Sequence, residues 1–199
     1  IMESKYDHIK TEKEIADFWE SRKIFKFDES RSGEIFSIDT PPPTVSGDIH
    51  MGHVYSYANA EFIARYKRMR GYNVFYPFGL DNNGLPTELL IEKKHNISAE
   101  DMSRDKFVEM VLNDIQEYNK KYIDTFKRLG LSIDWLLTYQ TISKEVQKIS
   151  QTSFVELYNS GRIYRKEGPV LYCPKCKTTV SQMELVDKNV ESKMVYIKF

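Results

Sequence analysis

Three features of the sequence predict an α/β fold built on a parallel sheet. Residues 34–76 read as strand, proline-rich loop, helix and strand, the order of a βαβ unit with a right-handed crossover. Helical periodicity recurs over 85–95, 105–129 and 144–159, between segments too short and too broken by Gly and Pro to be helical. The 199 residues, 41% hydrophobic and 29% charged, are enough for a domain with a small satellite, and 9 Gly with 7 Pro carry neither a disorder nor a collagen bias.

Taken in order, Thr11-x-x-Glu14 reads as a capping box, and Ile15, Phe18 and Trp19 at helical spacing predict an amphipathic helix to about Lys23. EIFSID at 34–39 alternates as a strand does, and Pro41, Pro42 and Pro43 end it because proline cannot donate to a ladder. After Gly47 a helix is expected to run to about Arg70, with Val54, Tyr57, Ala58, Phe62 and Met69 on its buried face and Gly71 as its stop. NVFY at 73–76 is the second strand. Beyond it, the 105–129 helix carries the apolar stripe Phe107, Val111, Ile115, Tyr118, Tyr122 and Phe126. The 144–159 helix ends at Gly161, short strands are expected around CPKC, and 193–199 reads as the start of a strand. A boundary is expected near 161–168.

The 29 Lys and Arg balance 29 Asp and Glu, so net charge neither supports nor excludes a nucleic-acid partner, because a neutral total can hide a basic patch. No apolar run approaches the ~18–20 residues that span a bilayer, and the first ten residues have no apolar signal core, which reads as a cytoplasmic protein with no membrane partner. Cys173 and Cys176 stand alone in CPKC, a spacing suited to a metal knuckle or a redox pair rather than to a secreted disulfide framework.

The loop at 41–53, PPPTVSGDIHMGH, joins the first strand to its helix, where an open α/β sheet binds anionic ligands against free helix N–H groups. His50 and His53, three apart, project from the first turn toward one group, and Gly52 lets a ligand lie against the backbone. H-x-x-H alone also describes two surface histidines or a partial metal site, and it lacks the Glu of H-E-x-x-H. Its place after a proline-rich strand exit turns the reading toward anion binding. Asp81, in Asp-Asn-Asn-Gly, reads equally as a turn residue or as a ligand carboxylate, and its place after the second parallel strand favours the ligand.

This loop resembles the signature of the class I aminoacyl-tRNA synthetases, whose HIGH tetrapeptide appears here as His50-Met51-Gly52-His53. The resemblance continues through ARYKRMRGYNVFYPFGLDNNGLPTE at 64–88 and LYCPKCKTTVSQMELVD at 171–187, and within the family the triple proline and DNNGLPTE are most similar to the valine members, rather than to those for isoleucine or leucine. It departs from many relatives at Thr44, where Asn is common, and at Asn82, where Asp is common.

The resemblance implies a Rossmann-like parallel sheet forming the first half of the catalytic domain, with a small zinc-knuckle region at its C-terminal end. It divides the chain into an N-terminal helical extension at 1–33, the half-domain at 34–162, the knuckle at 163–191 and the start of an editing insertion at 192–199. It implies activation of L-valine by ATP with Mg2+ and transfer to the tRNA for valine by a monomeric enzyme. His50 and His53 are the implied catalytic residues. Thr44, Gly47, His50, Gly52 and His53 are assigned to ATP, Pro41, Pro42 and Pro43 to a wall against the valine side chain, and Asp81 to its ammonium. Cys173 and Cys176 supply half of a zinc site that normally wants four ligands, and a redox role remains for the pair. The second half of the fold and a KMSKS loop are not in the sequence, so an N-terminal portion that is inactive alone is expected. A noncatalytic nucleotide- or RNA-binding module, another branched-chain (Ile or Leu) synthetase of the same class, and another nucleotidyltransferase on the same loop are the alternatives.

Overall fold

The computed structural model describes residues 6–199; residues 1–5 of the expected N-terminal extension lie outside the described residues. The chain divides into two compact units, one ending at Thr152 and one spanning Ser153–Phe199.

In the first unit, strand β1 (Ile35–Ser37) pairs in parallel with β2 (Asn73–Phe75), and helix α2 (Met51–Met69) makes the crossover between them. The pairing outlasts the named strands. Ile38 N–H donates to Phe75 O (2.9 Å), and past the prolines Asp81 N–H donates to Pro43 O while Val45 N–H donates to Asp81 O, both at 2.9 Å. On its other side the same chain segment, as β3 (Phe78–Leu80), pairs in parallel with β4 (Thr138–Gln140). Residues 73–81 therefore run centrally between two parallel neighbours, and the alternate residues Val74, Tyr76, Phe78 and Leu80 are fully buried. The core is completed by Tyr57 and Ala64 of α2, Ile115, Tyr122 and Phe126 of α4 (Arg104–Arg128), and Leu131 and Ile133.

Helix α3 (Leu85–His95) and α5 (Lys144–Asn159) fall where the periodicity puts them, and α4 is one residue out of register at each end. Several expectations are corrected. Helix α1 (His8–Arg22) begins before Thr11, because Asp7 caps it by accepting from Lys10 N–H (3.2 Å), and Lys23 closes it in the left-handed region. Of its expected apolar stripe only Trp19 packs: its ring meets Phe25 edge-on at 5.1 Å and lies under the Arg65 guanidinium, while Phe18 and Ile15 are exposed.

The buried face of α2 is Tyr57, Glu61 and Ala64, with Phe62 68% and Met69 85% exposed. A buried carboxylate on this face needs partners. Glu61 accepts from Ser132 N–H (2.7 Å), Ser132 Oγ (3.1 Å) and Arg65, and Arg68 donates to Ser132 O (2.8 Å). The helix is thus pinned to the 130–134 segment by charge-assisted bonds rather than by the hydrophobic stripe.

In the second unit, β5 (Tyr172–Cys173) and β6 (Thr178–Thr179) form a short antiparallel hairpin around CPKC. Residues 193–199 form no strand, since a lone strand without a ladder partner leaves its backbone groups unpaired. No helix among the described residues is long and apolar enough to cross a membrane.

Candidate active site

Pro41, Pro42, Pro43, His50, Gly52 and His53 are brought together around one cleft of about 470 Å³, which Thr40, Ser56 and Tyr57 complete. The three prolines of the loop have no backbone donor, so beyond the bridge to Asp81 the loop is anchored by side chains from other elements. Tyr57 donates its hydroxyl to Pro41 O. Buried Thr87 of α3 donates to Val45 O (2.9 Å), and Tyr122 of α4 donates to Gly47 O (2.9 Å). Lys121 pairs with Asp48 at the loop's outer end. Four anchors from three helices fix a segment that carries almost no regular structure.

The two histidines open α2. His50 is its N-cap: its Nδ1 accepts from Gly52 N–H (3.1 Å), and His53 Nδ1 accepts in turn from His50 N–H (3.3 Å). With both Nδ1 lone pairs engaged, the proton of each neutral ring sits on Nε2, leaving two N–H donors on rings 4.1 Å apart at the positive end of the helix. Burial, and then the neighbouring His50, hold His53 below the usual imidazole pKa, which favours this neutral donor form. Gly52 lines the cleft and has a further use. A Cβ there would come within 2.9 Å of His50 Cε1, so the missing side chain makes room for the capping imidazole.

Asp81 follows β3 and does not line the cleft. Its Oδ2 accepts from Thr44 Oγ1 (3.0 Å), and its Oδ1 accepts from Thr141 Oγ1 (3.2 Å) and Asn83 N–H (3.2 Å). The Asn83 contact is the turn interaction, while the two threonines come from the neighbouring parallel segments and hold the carboxylate between them. It is half-exposed, with acceptor capacity left for a cationic ligand. Asn82 points the other way, into the core, where it pairs with Asn119 of α4 (2.8 Å), both amides being buried. Its departure from the common Asp thus lies away from the site.

Sequence reasoning placed Tyr57 and Tyr122 in the core for their rings and missed their hydroxyls. Tyr57 stands four residues after His53, one helical turn along the same face, which is the signal that could have found it. Thr141 and Thr87 carry no such local signal. Cys173 and Cys176 belong to the hairpin of the second unit, where Cys173 Sγ accepts from Cys176 N–H (3.4 Å); that bond holds the thiol below its usual pKa. No group of three or more metal-ligating side chains occurs among the described residues, so the donors present do not complete a structural zinc site.

Comparison with known proteins matches residues 14–198 to the family described as tRNA synthetases class I (I, L, M and V). The chain is 42% identical over 199 residues to a valine–tRNA ligase of Wolbachia sp. subsp. Brugia malayi, covering all of this chain and 23% of that protein. It is 44% identical over 195 residues to that of Rickettsia prowazekii, covering 98% of this chain and 24% of the relative. It is 43% identical over 182 residues to that of Thermoplasma acidophilum, covering 92% and 23%. Among solved structures it resembles Agrobacterium radiobacter LeuRS in a ternary complex with tRNA and LeuAMS, with TM-score 0.72 and 27% identity over 92% of this chain and 21% of that one. The chain spans about a quarter of the length of the curated relatives it matches. With the family model covering nearly the whole sequence over a parallel-sheet fold of the same kind, the chain belongs to the class I tRNA synthetases.

Proposed function

We propose that the protein carrying this chain activates L-valine with ATP and transfers it to the tRNA for valine. The observation that carries the reading is the pair of Nε2–H donors at the α2 N-terminus, set beside a proline wall whose far end pairs with Asp81, a carboxylate held by two hydroxyls. The amino acid is supported by valine–tRNA ligases of 42–44% identity across nearly all of the chain.

Asp81 accepts from the valine ammonium, a charge-assisted bond that orients the substrate. The proline wall meets the side chain. His50 and His53 donate to phosphate oxygens of ATP as a valine carboxylate oxygen attacks the α-phosphorus and the bond to pyrophosphate breaks. Charge accumulates on those oxygens in the transition state, so fixed donors and the helix dipole stabilise it without covalent participation. Thr44 acts through Asp81 and Gly47 through the anchored loop. Mg2+ accompanies ATP and offsets phosphate charge.

This reading retains the division at 34–162 and 163–191 and a monomeric cytoplasmic enzyme. In it Cys173 and Cys176 give two of four zinc ligands, the others coming from outside these residues; Cys173→Ser together with Cys176→Ser is expected to leave valine activation in place while lowering bound zinc per chain measured by atomic absorption. Valine-dependent exchange of pyrophosphate into ATP tests the central reaction. Exchange with valine supports it, and no amino-acid-dependent exchange would return the chain to a noncatalytic nucleotide-binding role.

A further inference from the structure

Gly79 sits at the middle of β3, paired with Tyr139 of β4, and is buried although it has no side chain. Two neighbours account for this. A Cβ at Gly79 would lie 2.5 Å from Tyr139 Cζ, 2.6 Å from its hydroxyl oxygen and 2.9 Å from Pro42 Cβ. The phenol of one flanking strand and the proline of the other therefore close over the glycine. Residues 79 and 81 project from the same face of the strand, opposite buried Phe78 and Leu80. That is the face from which Asp81 meets Thr44 and Thr141. Pro42 itself lines the cleft.

We infer that Tyr139 is a positioning residue for amino-acid selection: packed over Gly79, its ring backs Pro42 and so sets how far the wall stands from the substrate side chain. The inference rests on the adenylation reading. The carbonyls of Pro41 and Pro43 on either side are held by the Tyr57 hydroxyl and Asp81 N–H, but Pro42 has no N–H of its own, and its ring is backed only by what packs behind it. Tyr139 is half-buried, and burial together with the Asp39 carboxylate raises its phenol pKa, so the ring stays neutral and apolar in character. Gly79 is the enabling position, because any side chain there displaces one ring or the other.

The test is pyrophosphate exchange by the protein carrying this chain, with valine and isoleucine as alternative substrates. Tyr139→Val keeps a strand-forming residue but withdraws the ring. The preference for valine over isoleucine in kcat/KM is expected to fall by at least about four-fold, the worth of one buried CH2 group, with KM for ATP unchanged. Tyr139→Phe keeps the ring and is expected to keep the preference. Gly79→Ala is expected to raise KM for valine, and adding Tyr139→Val to it is expected to recover part of the loss. An unchanged valine-to-isoleucine ratio in Tyr139→Val, or an equal rise in KM for valine and ATP, would overturn the assignment while leaving adenylation intact. Wild-type protein without valine-dependent exchange would overturn both.

Discussion

Replacing Asp81 by Asn substitutes one atom and leaves the local hydrogen bonds an alternative. Its Oδ1 accepts from Thr141 and Asn83, which an amide oxygen can also do, and on the other side the Thr44 hydroxyl can turn to accept from the new NH2. The fold should therefore survive, and what is lost is the charge offered to an ammonium. A hydrogen bond to a charged group contributes ~1.5–3 kcal/mol. Because Asp81 is half-exposed and screened by solvent, the lower end applies, which corresponds to a loss of about ten-fold. The assay is pyrophosphate exchange across valine and ATP concentrations, with thermal unfolding as the control. KM for valine is expected to rise about ten-fold, with KM for ATP and the melting temperature nearly unchanged. Equal losses for both substrates, or a fall in melting temperature that accounts for the effect, would refute the ligand role and leave Asp81 as a turn residue.

Replacing His53 by Ala should lower kcat about 10²- to 10³-fold with KM for valine little changed, the cost of one donor to a transition-state oxyanion; single-turnover adenylate formation measures it. The same histidine gives a pH dependence. Its folded pKa lies below the ordinary 6.5, so as pH falls through 6.5 the unfolded chain takes up the proton first and stability declines until the folded-state pKa is passed. Protonation at Nδ1 also costs the bond from His50 N–H. Melting temperature should thus drop between pH 7 and pH 5 more steeply in the wild type than in His53→Asn, and equal slopes would contradict the capping role. Asn82→Ala should cost ~1–3 kcal/mol in urea unfolding by leaving the buried Asn119 amide without its partner, and a change below 0.5 kcal/mol would show that the pair is dispensable.

Helices were legible because their signals are local. The 85–95 and 144–159 runs carry their own periodicity and end at Asn96 and Gly161, both in the left-handed region. Strands β3 and β4 were not, since each has three residues and becomes a strand only by pairing across about sixty residues of sequence. The face of α2 was misjudged for a related reason. Glu61 reads as a solvent residue until Arg65 and the Ser132 backbone are known to meet it, and its burial rotates Phe62 and Met69 outward. At the site, the chemistry-bearing loop is continuous in sequence, so its prolines, histidines and Gly52 could be picked out together. The groups that hold the loop and Asp81 in place, Thr87, Tyr122 and Thr141, lie 42, 75 and 60 residues in sequence from the groups they touch and gain meaning only from those contacts.

The central claim is that 41–53 and Asp81 form one adenylation site for valine. A crystal structure of the protein carrying this chain with a nonhydrolysable sulfamoyl analogue of valyl-adenylate tests it most directly. The ammonium is expected within ~2.7–3.2 Å of an Asp81 carboxylate oxygen, the isopropyl group against Pro42, and the sulfamoyl oxygens facing the Nε2 atoms of His50 or His53. An analogue bound with its ammonium away from Asp81, or with the sulfamoyl group remote from both imidazoles, would contradict it.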